Sequence, residues 1–209
     1  MSPSPDSGQA PGHAAASGGS DTTRERILAA ALEEFASHGI AGARVDRIAK
    51  RARSSKERVY AYFRSKEALY AHVATRELSV IAEAVQIDPS DLPGYAGHLF
   101  DYFAARPDHH RLITWGRLEL ADTGATEDHP TRAAITRKLD LLRRAQRAGH
   151  LSAAWDPADI LALVNQIATT WAAQPEFAEA AAEHARDPST AARRAAVVTA
   201  VEKLFPRAV

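Results

Sequence analysis

With 209 residues, this chain has room for one large domain or two small ones, each with a real core. Ala supplies 45 of its 95 apolar residues and Val plus Ile only 19, a bias toward helix and away from strand. Formal charge is zero, Cys is absent and no apolar run approaches membrane-span length, which excludes a disulfide scaffold, a thiolate metal site and a spanning helix and leads us to expect a cytoplasmic protein.

Residues 1–20 are Ser, Pro, Gly and Ala with a single charge, Asp6, and no large apolar residue after Met1. Such a segment buries too little to offset its ordering entropy, so a disordered tail is expected. From Thr22 the periodicity is helical. Thr22 and Glu25 have capping-box spacing, Ile27, Leu28, Ala31, Leu32 and Phe35 form one stripe, and Gly39 reads as a left-handed stop. A second short helix shows Val45, Ile48, Ala49 and Ala52 on one face. A third is expected to start at Ser54, with Glu57 in the capping-box place and Val59 and Phe63 buried. The three-residue gap between them forces a steep crossing.

Ser65 is expected to cap a long helix over about 66–86, which Pro89 and Pro93 end. Helices follow near 91–105, 107–121, 130–148, 157–173 and 188–205, with a short one near 176–185. Asp156-Pro157 and Asp187-Pro188 read as cap-then-first-turn pairs. No strand-like alternation and no internal repeat occurs. The domain reading is a tail over 1–20, a small helical unit over 21–68 and a larger helical domain over 69–209.

The neutral total hides an imbalance. Arg44, Arg47, Lys50, Arg51, Arg53, Lys56, Arg58, Arg64 and Lys66 face only Asp46 and Glu57 within residues 44–66, a local +7. Such a module either meets an anionic partner or is a solvated basic face. Residues 39–70 make a helix-turn-helix whose second helix exposes Lys56, Arg58 and Tyr60, side chains suited to phosphates and base edges in a major groove.

The stretch from Thr22 to Tyr70 resembles the DNA-binding domain of the TetR (tetracycline-repressor-like) family of bacterial regulators. The resemblance rests on Phe35 and Gly39, the Val45-Ile48-Ala49 core, Ser55-Lys56, Tyr60-Tyr62-Phe63, and Ser65 to Leu69. It departs at Ala43, where a capping hydroxyl is usual, at Arg53-Ser54 in the turn, and at Glu57-Arg58. Arg53 is expected at positive φ or in a slightly different turn. Glu57 either caps its own helix or accepts from cytosine. The resemblance implies DNA contacts from Arg44, Ser55, Lys56, Arg58, Tyr60 and Lys66, with Lys66 and Arg44 on phosphates.

The resemblance further implies a C-terminal domain that binds a small-molecule inducer and forms a homodimer, the whole acting most often as a repressor on a near-palindromic operator. Pocket candidates are Phe103, Leu112, Trp115, Leu139, Asn165 and Trp171, with Glu119 and Gln166 as further polar anchors. Each large apolar residue among them also reads as plain core. The stripes Ile160, Val164, Ile167, Trp171 and Ala191, Ala195, Val198, Val201, Leu204, Phe205 are candidates for a four-helix dimer seam. His109 and His110 are adjacent and do not share a helix face, and no H-x-x-x-H pair occurs, so no metal site is expected; no catalytic, P-loop or dinucleotide fingerprint occurs either, so no enzyme activity and no cofactor are expected. An all-α small-molecule carrier or enzyme with an incidental basic N-terminus is the rival reading.

Overall fold

The computed structural model describes residues 16–119 and 130–206. Ten helices run through them: α1 (Ala16–Gly42), α2 (Val45–Arg51), α3 (Lys56–Phe63), α4 (Lys66–Ala84), α5 (Leu92–Ala105), α6 (Pro107–Glu119), α7 (Pro130–Arg147), α8 (Pro157–Ala173), α9 (Pro175–His184) and α10 (Thr190–Leu204). No strand occurs among the described residues, as the Ala-rich composition predicts. No described helix is long and apolar enough to cross a membrane.

Most starts coincide with their sequence signals. Ser65 accepts from Ala68 N, Asp91 from Gly94 N and Asp156 from Ala158 N, each satisfying a first-turn donor that the helix cannot. Three signals resolve differently. Thr22 lies inside α1, which already begins at Ala16; residues 1–15 of the expected tail lie outside the described residues. Ser55, not Ser54, caps α3 by accepting from Arg58 N, which leaves Glu57 one residue short of the capping-box place. Ser189, not Asp187, caps α10, while the Asp187 carboxylate accepts from Ser189 N at 2.9 Å.

Gly39 breaks α1 at φ 69°, ψ −179°. The positive φ is as expected, but this ψ belongs to a region essentially confined to glycine rather than to the left-handed helix. A Cβ there would collide with the Glu119 carboxylate and press on the Trp115 ring.

Two cores form. The first joins α1 to α4 through Ile27, Phe35, Ile48, Val59, Phe63, Leu69 and Val73, and it also takes in Leu112 from α6. A division at 68/69 therefore cuts through it. Phe35 and Tyr70 meet edge-to-face at 5.3 Å, and the buried Tyr70 hydroxyl donates to Leu112 O at 2.9 Å. The second core gathers Tyr95, Leu99 and Phe103 of α5, Leu142 of α7, Ile160 and Val164 of α8, and Val197, Val201 and Phe205 around α10. At the α5–α6 corner, Tyr102 Oη lies 2.8 Å from His109 Nδ1, which lies 3.1 Å from the buried Glu77 of α4.

This packing removes part of the expected dimer seam, while Ala191, Ala195 and Leu204 of the second stripe stay exposed. Ile160, Val164, Val201 and Phe205 are buried in their own protomer, and Val198 packs at Gly97 of α5. The faces of α8 and α10 left outward carry Ala162, Leu163 and Gln166, and Ala195, Ala196 and Thr199.

Candidate nucleic-acid interface

The recognition surface is built by a short helix pinned along one edge. Val59 and Phe63, one turn apart on α3, are 1% and 3% exposed and anchor it to the first core. The opposite edge must then face outward, and Lys56, Glu57, Arg58, Tyr60 and Arg64 are all exposed. Tyr62 is half-buried against the core. Arg24 lies over the Phe63 ring at 5.6 Å, so one nearby cation belongs to packing rather than to a ligand face.

The turn before α3 is closed by Ser54 N donating to Ala49 O at 2.9 Å, with Arg53 at φ 50°. Of the two expected outcomes, this is the positive-φ one, uncommon for a residue with a side chain. Ser55 spends its hydroxyl on the α3 cap.

Behind α2 stands a buried carboxylate that sequence reading missed. Glu34 is 2% exposed and accepts from Arg44 N at 2.9 Å and Arg47 Nε at 2.7 Å, with His38 Nδ1 3.7 Å away. Burial opposes its ionisation. The Arg47 hydrogen bond, the Arg44 N–H and the charges of Arg47 and His38 outweigh that and hold the carboxyl below its ordinary value. The N-cap of α2 is Arg44 rather than Ala43, with no side-chain cap, and Glu34 instead binds the Arg44 N–H directly ahead of the helix. Ala43 itself is buried.

A groove of about 420 Å³ runs between α2, α3 and the start of α4, lined among others by Arg44, Asp46, Lys56, Tyr60, Arg64 and Lys66. Five of the six expected DNA contacts border it or the exposed α3 face, and the sixth, Ser55, caps the helix. Their engagement differs. Lys56 Nζ sits 3.1 Å from Asp46 Oδ2, and that hydrogen bond and charge raise its pKa. Lys66 Nζ donates to Ala41 O at 3.0 Å and Ala43 O at 3.3 Å, so it brackets the α1–α2 link rather than standing clear for a phosphate. Arg58 and Arg44 are exposed, and no hydrogen bond or ion pair holds either guanidinium among the described residues.

The expected pocket residues divide between the two cores, which corrects two of them. Leu112 is fully buried in the first core, and Trp115 donates from Nε1 to Ala36 O at 3.3 Å. Glu119, offered as a pocket anchor, accepts from Ile40 N at 2.9 Å and Ala41 N at 2.6 Å. All three belong to the seam between α6 and the DNA-binding unit. The reason is that α6 turns its Leu112-Trp115-Glu119 edge toward α1, which no periodicity argument within α6 alone reveals.

Phe103 is buried beside Tyr102 and His110, and Leu139 packs half-buried on the second core. Asn165 accepts from the Tyr95 hydroxyl, and Trp171 is half-buried beneath the Arg193 guanidinium at 4.6 Å. Gln166 is exposed. His109 and His110 do not form a metal cluster, and no group of three metal-binding side chains occurs among the described residues.

Residues 27–73 match the family model described as bacterial regulatory proteins, tetR family, and residues 91–203 match a tetracyclin repressor-like C-terminal domain. The chain is 38% identical over 152 residues to the HTH-type transcriptional repressor SCO4008 of Streptomyces coelicolor, covering 73% of this chain and 79% of that repressor. It is 30% identical over 136 residues to the HTH-type transcriptional repressor NicS of Pseudomonas putida, covering 62% of this chain and 64% of NicS. Among solved structures, the transcriptional regulator SCO4942 from Streptomyces coelicolor superposes with a TM-score of 0.82 at 72% identity, over 88% of this chain and 99% of that one.

Proposed function

This chain belongs to the tetR family of bacterial regulatory proteins, and from that premise we propose that it is a homodimeric transcriptional repressor which releases a near-palindromic operator on binding a small molecule. The observation that carries the reading is the outward edge of α3, where Arg58 and Tyr60 stand exposed beside Lys56 on a helix held from behind by Val59 and Phe63. A helix of that width enters a major groove, and an arginine there can bind guanine through two parallel hydrogen bonds.

Each residue then takes a distinct part. Arg58 and Tyr60 read base edges, Lys56 and Arg44 meet flanking phosphates, and Ser55 fixes the pitch of α3 by capping it. Lys66 holds the α1–α2 link and presents its remaining donor to the backbone. A two-fold dimer places two such helices on one face of the duplex, so the operator is a near-palindrome. A cytoplasmic site of action follows from the DNA target.

Selection from a randomised duplex library tests this directly. The expected result is a near-palindromic motif whose preference at one position in each half-site relaxes in Arg58→Ala. A protein that selects no motif refutes the reading and favours a carrier.

A further inference from the structure

The second core holds a chain of polar groups that the DNA interface does not use. Tyr95 of α5 is 2% exposed. Its hydroxyl donates to Asn165 Oδ1 of α8 at 3.1 Å and accepts from Lys138 Nζ of α7 at 2.8 Å. The same ammonium lies 5.1 Å from the Tyr95 ring centroid. A lysine carries three donors and a full charge, and here only a neutral hydroxyl and an aromatic face meet them.

Most other described cations of this domain are exposed to water, and half-buried Arg193 donates to Ala178 O. Arg143 pairs with Asp140 and Arg194 with Asp101, whereas no ion pair reaches Lys138 among the described residues. Its half-buried position disfavours the charged form, and its pKa is accordingly lowered by desolvation.

The core that holds Tyr95 is apolar, and several residues at its edge are incompletely covered. Ile113 of α6, Leu139 of α7, and Ile167 and Trp171 of α8 pack on this core yet stay partly exposed. Apolar walls with one placed charge are the usual makeup of a small-molecule site. A carboxylate supplies the missing counter-charge, and an apolar body attached to it covers the half-open side chains.

We propose that Lys138 anchors the carboxylate of an amphipathic organic acid that is the effector of this regulator, with Tyr95 and Asn165 holding the ammonium in place. The proposal rests on the effector-responsive reading above and names the chemical class of the effector. Asn165 thereby keeps a place at the site, but as the far end of a relay rather than as a direct anchor.

Matched acid and amide pairs test it: benzoate with benzamide, octanoate with octanamide, and decanoate with decanamide, titrated by calorimetry into the full-length protein. Wild type should bind at least one carboxylate ten-fold or more tightly than its amide. Lys138→Met should bring that ratio within two-fold, and Lys138→Gln should do the same. Circular dichroism establishes that the variants are folded, and if neither folds, the wild-type ratio decides alone. Equal binding of acid and amide, no carboxylate binding in any pair, or a ratio that survives Lys138→Met overturns the proposal. Failure of the repressor reading is seen separately, because motif selection is measured without any acid and the titration without DNA.

Discussion

Removing the Glu119 carboxylate should loosen the attachment of α6 to the DNA-binding unit. Glu119 accepts from two consecutive backbone donors, Ile40 N at 2.9 Å and Ala41 N at 2.6 Å, directly after the Gly39 break. Hydrogen bonds to a charged group contribute roughly 1.5–3 kcal/mol each when sheltered. One of these is part-buried and the other exposed. Water therefore replaces much of the loss, and Glu119→Ala should cost about 2 kcal/mol. For a chain of this length that corresponds to a melting temperature lower by roughly 4–8 °C.

Gly39→Ala tests the same junction from the other side. Its Cβ meets the Glu119 carboxylate and lies 3.1 Å from the Trp115 ring, and φ 69° strains any side chain. The double variant should therefore recover the collision part of the Gly39→Ala loss but not the backbone part, giving a non-additive cycle. Differential scanning calorimetry of the four proteins is the assay. Additive losses, or a Glu119→Ala protein melting within 1 °C of wild type, would refute the argument that this carboxylate ties the two units.

Arg58→Ala should weaken operator binding by about 1–3 kcal/mol and broaden preference at one position, read by competitive binding against a randomised library. Asp46→Ala should tighten binding to all duplexes alike, since it frees Lys56 and removes a negative charge from the groove; fluorescence anisotropy on unrelated duplexes measures this. Leu163→Asp, on the outward face of α8, should give monomers by light scattering, whereas Val198→Asp should lower stability through its contact at Gly97. Glu34→Gln should cost roughly 1–2 kcal/mol near pH 7. Because the folded Glu34 carboxyl titrates below its ordinary 4.5, its contribution is present above that value and lost as pH falls through the folded value, so the gap between wild type and variant should narrow as pH falls below 4.5 in urea titrations.

Features confined to one helix were legible in the sequence; features shared between helices were not. The α3 face was readable because Val59 and Phe63 are one turn apart and the intervening polar residues then have one direction to point. The Ser65 and Asp156 caps were readable because a short acceptor precedes an apolar repeat. Leu112 was not, since an apolar residue inside α6 has the same pattern whichever core receives it. Glu34 looked like any surface acid of α1, and its burial depends on Arg44 and Arg47 arriving from α2. Lys138 lies beside Leu139 on α7, and only the crossing with α5 and α8 sets it against Tyr95. The buried members of the dimer stripes were misread for a related reason: an apolar stripe announces burial, not whether the covering surface belongs to the same protomer.

These internal engagements also govern how the basic face meets DNA. A phosphate arriving at Lys56 must displace Asp46, and one arriving at Lys66 competes with two backbone carbonyls. Each such contact requires giving up an internal partner, and a cation that keeps that partner neutralises no phosphate and releases no counterion from the duplex. Arg58 and Arg44 have no internal bond to surrender, and their contacts count in full. Sequence preference should therefore rest on Arg58 far more than the local charge of +7 implies. The salt slope is the discriminating quantity. If all nine cations contributed, log K would fall with a slope near −8 per protomer against log salt; with Arg47, Arg51, Lys56 and Lys66 bonded internally, the other five give a slope of about −4 to −5 per protomer. A measured slope near the larger value would mean that the internal pairs open on binding and that the exchange argument fails.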